Sequence, residues 1–76
     1  MQKQLTAIIE REGQQGYVSL CPELDIASQG STIEEARTNL QEALELFFET
    51  ASREEIQTRM HGEVYVTHVD VEVAVG

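Results

Sequence analysis

Tryptophan is absent from this chain of 76 residues, and proline, cysteine and basic side chains are scarce. The lone cysteine, Cys21, has no partner for a disulfide within the chain, so a cytoplasmic location is expected. The five Lys and Arg residues are outnumbered by 14 Asp and Glu, which gives a formal net charge of −9. Because affinity for phosphate needs clustered basic side chains, we expect no direct binding to nucleic acid.

Long apolar runs are also missing. No stretch approaches the roughly 20 apolar residues that cross a bilayer, so no membrane association is expected, and residues 1–4 do not open a signal peptide. The length predicts one domain, residues 1–76, and the hydrophobic share of 41% is typical of a folded protein. A chain this short buries only about 60% of the surface that its unfolded form exposes, so self-association would add stability.

The N-terminal part of the chain has the pattern of three short strands. Residues 4–12 alternate between apolar and polar side chains, and residues 17–21 and 26–30 are rich in strand-forming types. Turn residues at 13–16 and 22–25 separate the three segments. The pattern predicts an antiparallel meander.

A long amphipathic helix is predicted from about Thr32 to Glu49. Ser31 with Glu34, or Thr32 with Glu35, has the spacing of a capping box. The apolar stripe of the helix, predicted to face the core, consists of Ile33, Ala36, Leu40, Ala43, Leu44, Phe47 and Phe48. Leu46 projects from the opposite, acidic face, where it is either an isolated exposed leucine or a contact with another chain.

Two segments follow this helix. Residues 51–62 either form a short second helix through Met60, capped by Ser52 and Glu55, or continue the first helix. Residues 63–75 alternate strongly and predict a long strand. One parity of that strand holds Tyr65, Thr67, Val69, Val71, Val73 and Val75.

These elements predict an α+β fold of two layers, in the order β-β-β-α-β. One helix covers one face of a four-stranded mixed sheet, in which the fourth strand runs parallel to the first. The other face has no covering helix, and Ile8, Tyr17 and Cys21 are expected there. An uncovered apolar face and a long terminal strand give two routes to a homodimer or a higher oligomer.

The residues that carry chemistry are few. Cys21 is interpreted as a buried structural cysteine, since a nucleophile needs a base that the sequence does not show. Glu23 and Asp25 are two carboxylates in one loop, but nothing in the pattern builds the buried pocket that acid–base catalysis requires. We therefore expect no enzyme activity and no cofactor.

A metal site is the alternative use of the C-terminal strand. His68, Asp70 and Glu72 alternate on one face of that strand and are types that bind metals. A solvated polar strand face is the favoured interpretation, and we expect no metal.

Residues 16–49 carry a specific resemblance. Their sequence, GYVSLCPELDIASQGSTIEEARTNLQEALELFFE, resembles the HicB-like family of small antitoxin domains. The matching features, in order, are Gly16-Tyr17-Val18, Cys21-Pro22-Glu23-Leu24, Ala27-Ser28-Gln29-Gly30, Thr32-Ile33-Glu34-Glu35-Ala36 and Glu42-Ala43-Leu44-Glu45-Leu46. The family's fold is also β-β-β-α-β.

The resemblance implies a binding role. Proteins similar to HicB cover a small basic HicA-like toxin that cleaves messenger RNA, and many also carry a C-terminal DNA-binding domain, which we do not find in this sequence. The expected function is therefore that of an antitoxin. The alternatives are a stand-alone homo-oligomeric binding module for another partner or ligand, and an enzyme with a pocket between subunits. The candidate partner-binding residues are Tyr17, Cys21, Pro22, Glu23, Leu24 and Asp25, together with Leu46.

Overall fold

The computed structural model describes residues 3–74 and has an α+β fold. Three strands, β1 (Ile8–Glu12), β2 (Gly16–Cys21) and β3 (Ile26–Gly30), precede two helices, α1 (Ile33–Thr50) and α2 (Arg53–Arg59). The strands form an antiparallel sheet in the order β1-β2-β3, which confirms the predicted meander.

Two residues with positive φ make the turns of the sheet. Gly13, with φ +62°, lies in the turn between β1 and β2, where the absence of a side chain removes the steric penalty. Asp25, with φ +57°, completes the turn between β2 and β3. Aspartate is one of the few side-chain-bearing residues that adopt this left-handed region readily.

Both predicted helix caps are present. The hydroxyl of Thr32 accepts a hydrogen bond from the Glu35 amide at 3.0 Å, so Thr32 rather than Ser31 is the N-cap of α1. The amide of Ser31 in turn donates to the Glu35 carboxylate at 2.7 Å. Ser52 caps α2 by accepting from the Glu55 amide at 3.1 Å, which decides in favour of a second helix.

The core lies between α1 and the face of the sheet that carries Ser19 and Cys21. Its fully buried apolar side chains are Cys21, Leu24, Ala36 and Leu40. Ser19 is buried with them, and its hydroxyl donates to the Ala36 carbonyl at 2.8 Å, which satisfies the one buried polar side chain of the core. The half-buried residues around this core are Leu5, Ile26, Leu44, Phe47, Phe48 and Met60.

The predicted positions of Cys21, Tyr17 and Ile33 are wrong. Cys21 lies beneath α1 and not on the open face, because it has the same parity in β2 as Ser19, and Tyr17 shares that parity. The open face instead carries Ile8 opposite Leu20, so the prediction for Ile8 alone agrees with the register. Ile33, placed in the core stripe of α1, is 53% exposed because it stands in the first turn, beyond the end of the sheet contacts.

The predicted fourth strand is not part of the sheet. Residues 63–74, called the arm below, form no strand among the described residues, so the sheet has three strands and is not mixed. An extended segment becomes a strand only when a neighbouring strand takes up its hydrogen bonds, and the arm pairs with none of the three strands. Val75, counted in the predicted strand, lies outside the described residues.

The arm makes the molecule elongated. The principal extents are 53 × 29 × 18 Å and the radius of gyration is 15.2 Å, whereas a compact chain of this length has a radius of gyration of about 11 Å. No helix within residues 3–74 is long and apolar enough to cross a membrane.

Candidate protein-interaction surface

The turn at residues 22–25 is the centre of the candidate site. The amides of Leu24 and Asp25 both donate to the Cys21 carbonyl, at 3.3 and 2.8 Å. This closes the chain tightly after β2 and directs the Leu24 side chain into the core, where it is 0% exposed. Leu24, predicted to contact a partner, is therefore part of the core and has no exposed surface to offer.

The Glu23 carboxylate holds the N-terminal segment against this turn. It accepts hydrogen bonds from the Thr6 amide at 3.0 and 3.1 Å and from the Thr6 hydroxyl at 2.7 Å. Burial by itself would raise the pKa of Glu23, but the hydrogen bonds from Thr6 and from the Glu23 amide outweigh it, so the pKa is lowered. In its charged form the Glu23 carboxylate holds Thr6 against the turn, and this contact is called the clamp below. The nearby Asp25 is exposed.

Cys21 completes this cluster as a thiol. Its Sγ donates to Glu23 Oε1 at 3.4 Å, and the side chain has no solvent exposure. Burial raises the pKa of the Cys21 thiol, and the neighbouring Glu23 carboxylate raises it further. The thiol is therefore protonated at neutral pH, which is the opposite of the state that a nucleophilic cysteine needs. The interpretation of Cys21 as a buried cysteine is confirmed.

The end of α2 docks on the other side of the same turn. The Arg59 guanidinium donates to the Leu24 carbonyl at 3.0 Å and lies 5.6 Å from the centre of the Phe47 ring. The His61 amide donates to the Glu23 carbonyl at 2.7 Å. The turn thus joins segments that are more than 30 residues apart, a role that the sequence pattern does not signal.

Replacement of Glu23 by glutamine tests the clamp. The folded-state pKa is below the ordinary value of 4.5, so the charged group contributes stability at higher pH, and this contribution is lost as the pH falls through the folded pKa. Glu23→Gln should lower the free energy of unfolding at pH 7 by about 1 kcal/mol, which is less than the about 1.5–3 kcal/mol of a buried charged hydrogen bond because the site is partly exposed. Urea unfolding from pH 7 to pH 3 should show the two proteins converging at the acid end.

Glu45→Gln is the control for that measurement, because it removes one negative charge from an exposed position of α1. Its difference from the wild type at pH 7 should stay within about 0.5 kcal/mol. If Glu23→Gln and Glu45→Gln behave alike across the pH range, the clamp contributes nothing of its own.

The predicted contact residues are therefore unequal in what they present. Cys21 and Leu24 are buried, whereas Pro22 and Glu23 are half-buried and Asp25 is exposed. The half-buried Tyr17 stands opposite Arg11 across the β1–β2 pair, and its hydroxyl lies 3.2 Å from the guanidinium. That these residues meet a partner stays a prediction.

A second exposed surface lies on α1. Glu42, Glu45, Leu46 and Glu49 recur at intervals of three and four residues, so they share one face, and all four are exposed. Leu46 is 59% exposed between these carboxylates. This group is called the acidic strip below. The C-terminal end of the strip is the less favourable one for the helix, because acidic side chains there oppose the helix dipole. The last turn of α1 has no basic residue to complement the negative end of that dipole.

Two concave surfaces formed by the described residues do not resemble a catalytic pocket. One is a shallow polar depression near Gln14 and Ser31, and the other is a groove between residues 3–5 and residues 60–65. Within residues 3–74 no group of three His, Cys, Asp or Glu side chains is close enough to hold a metal ion. His68, Asp70 and Glu72 are exposed along the arm.

Two known proteins are similar to part of this chain. The chain is 46% identical over 50 residues to the UPF0150 protein ssl0738 of Synechocystis sp., an alignment that covers 64% of this chain and 69% of the relative. This chain belongs to the UPF0150 family. It is also 46% identical over 46 residues to the UPF0150 protein ssr1765 of the same organism, covering 59% of this chain and 58% of that relative. No protein-family model matches the chain.

Each alignment covers only part of the UPF0150 relative. The second match spans less than two thirds of its relative, so the activity of a whole UPF0150 protein does not follow from either alignment. The 22–25 turn and the acidic strip are the candidate interaction surfaces of this UPF0150 chain.

Proposed function

We propose that this UPF0150 protein is a HicB-like antitoxin that binds and blocks a small basic HicA-like toxin in the cytoplasm. The observation that carries the proposal is the acidic strip of α1, in which Leu46 stands exposed among three carboxylates. A charged rim around an apolar centre is the usual composition of a protein interface. The net charge of −9 favours a basic partner, because opposite charges accelerate encounter and suppress wrong partners.

The placement of the carboxylates supports this proposal. Glu49 lies in the last turn of α1, where an acidic side chain opposes the helix dipole by about 0.3–1 kcal/mol, and Glu45 lies one turn before it. Folding alone would be better served there by lysine. A basic partner that neutralises these carboxylates would give a reason for negative charge at a position where it destabilises the helix. The resemblance of residues 16–49 to HicB-like domains supplies the class of that partner.

Binding to the product of the adjacent reading frame tests the proposal, provided that this product is a small basic protein. Glu45→Lys/Glu49→Lys should raise the dissociation constant by at least about tenfold, measured by calorimetry in low salt. Glu10→Lys/Glu12→Lys is the control, because it changes the net charge equally at exposed positions of β1.

Two further variants locate the contact. Leu46→Ala should weaken the complex by roughly fivefold or more if the leucine fills an apolar site on the toxin. Asp25→Asn keeps a residue that tolerates positive φ while removing the charge of the turn, so it reports on the 22–25 turn alone. Equal losses in the strip variant and its charge-matched control, or no complex with the wild type, would contradict the antitoxin function.

The arm favours a second candidate function, a stand-alone homo-oligomeric module. Its exposed apolar side chains offer a surface that the toxin hypothesis does not use. Salt separates the two kinds of association. Binding to a basic toxin should weaken as salt rises, whereas association of two acidic copies should strengthen, because salt screens attraction in the first case and repulsion in the second.

A further inference from the structure

The arm is a complete strand sequence without a strand partner. Its twelve residues, 63–74, alternate, and one parity exposes Tyr65 at 79%, Val69 at 78%, and Val71 and Val73 at 73% each. The other parity carries the polar His68, Asp70 and Glu72 in its middle, with Val64, Val66 and Ala74 toward its ends. Such alternation is typical of a strand with one buried face. An exposed apolar row of this length on a small protein marks an interaction surface.

β1 is an edge strand of the sheet with no neighbour on its outer side among the described residues. Among the described residues β1 pairs on one side only, with β2, so its outer edge has unpaired amides and carbonyls. The other edge, β3, is less open, because its Gln29 carbonyl accepts a hydrogen bond from the Asn39 side chain at 2.7 Å. α1 also packs mainly on β3 and β2 and only marginally on β1. Ile8 and Ile9 of β1 remain half-buried, one on each face.

The arm is not paired with β1 of its own chain. The start of the arm is fixed where the His61 amide meets the Glu23 carbonyl and where residues 62–65 line one groove with residues 3–5. Beyond this point the arm does not pair with β1, and Val66, Val69, Val71 and Val73 are exposed. Twelve extended residues reach about 40 Å, which is long enough to span the β1 edge of a second copy.

We propose that two copies of this chain exchange arms, each arm adding a fourth strand to the free β1 edge of the other copy. The geometry favours a second copy as the occupant because each copy brings one arm and one free edge, so a reciprocal two-fold exchange leaves neither unpaired. In each copy the five residues of β1 would pair with about five of the twelve arm residues, and the reciprocal exchange forms this pairing twice.

The charge of the chain sets a condition on this dimer. Both copies carry −9, and the arm itself contributes Glu63, Asp70 and Glu72. Main-chain hydrogen bonds and burial of the valine face must outweigh this repulsion, which salt screens over a distance of about 10 Å at 0.1 M. Arm exchange is therefore expected to tighten as salt is added. It does not depend on the antitoxin function, and either can fail alone.

A matched pair of arm variants tests the exchange. Sedimentation of the wild type at micromolar concentration should give about twice the 8.5 kDa of one chain. Val71→Lys places a charge on the apolar face and should raise the dimer dissociation constant by at least about tenfold. Asp70→Lys places the same side chain one residue away on the polar face, and that variant should remain a dimer.

Hydrogen exchange identifies the strands that pair. Amides of residues 63–74 and of β1 should become more protected as the protein concentration rises, and Val71→Lys should abolish this gain while its helical circular dichroism stays unchanged. A monomeric wild type overturns the proposal, whether its arm is protected by its own β1 or left open for another protein. A dimer that persists in Val71→Lys, or that Asp70→Lys disrupts equally, also overturns it.

Discussion

Leu40→Ala should lower the free energy of unfolding by about 3 kcal/mol. Leu40 is 1% exposed and lies in the cluster that α1 forms with Cys21 and Leu24. Removal of three methyl and methine carbons from such a site loses transfer free energy and leaves a cavity, for a total of about 2–5 kcal/mol. A chain of this length has only about 4–11 kcal/mol of stability, so the loss is a large share of the whole.

Leu46→Ala is the matched control for this experiment. It makes the same substitution in the same helix at a side chain that is 59% exposed, so its effect should stay within about 0.5 kcal/mol. Urea unfolding at one fixed protein concentration measures both, because self-association would make stability depend on concentration. Equal losses for the two leucines would mean that α1 does not cover the sheet in the way described.

Local signals predicted most of the elements. The glycine-containing turn, the alternation of the strands and the capping spacings at Thr32 and Ser52 each depend on residues within a few positions of one another. The structure contains the three strands and both capped helices that these signals indicate. Whether α1 continued or a second helix began was left open by the sequence, and the Ser52 cap decided it.

Features that depend on distant contacts were not predictable in the same way. The alternation of residues 63–74 indicates a strand but contains no information about where its partner lies. The side of β2 that faces α1 was also misjudged, because Val18 and Leu20 have the more apolar parity while Ser19 and Cys21 are the residues covered. The Ser19 hydroxyl is accommodated there because it donates a hydrogen bond to the Ala36 carbonyl.

The candidate site shows the same division. The acidic face of α1 and the outward position of Leu46 follow from helical periodicity, and both are present. The clamp between Glu23 and Thr6 joins residues 17 positions apart, and Arg59 reaches the Leu24 carbonyl across 35 positions. No spacing rule anticipates such contacts, so the turn at 22–25 was interpreted as an exposed contact loop although it is largely structural.

Gly30→Ala should destabilise the protein by about 1–3 kcal/mol through a steric clash. A Cβ at position 30 would stand 2.5 Å from the Ala36 amide nitrogen and 2.8 Å from the Glu35 carbonyl carbon. Both atoms belong to the backbone of the first turns of α1, so no side chain can rotate away. The helix must shift outward from β3, which would also loosen the Ser19–Ala36 hydrogen bond.

Gly62→Ala is the control that isolates this clash. A Cβ at position 62 meets nothing within 4 Å, so the substitution should be neutral or should stabilise the protein by up to about 1 kcal/mol through the unfolded chain. Thermal unfolding of the two variants compares them directly. A Gly30→Ala protein as stable as the wild type would show that β3 and the start of α1 are further apart than the distances of 2.5 and 2.8 Å from the added Cβ imply. The position of α1, which carries the acidic strip, would then also be wrong.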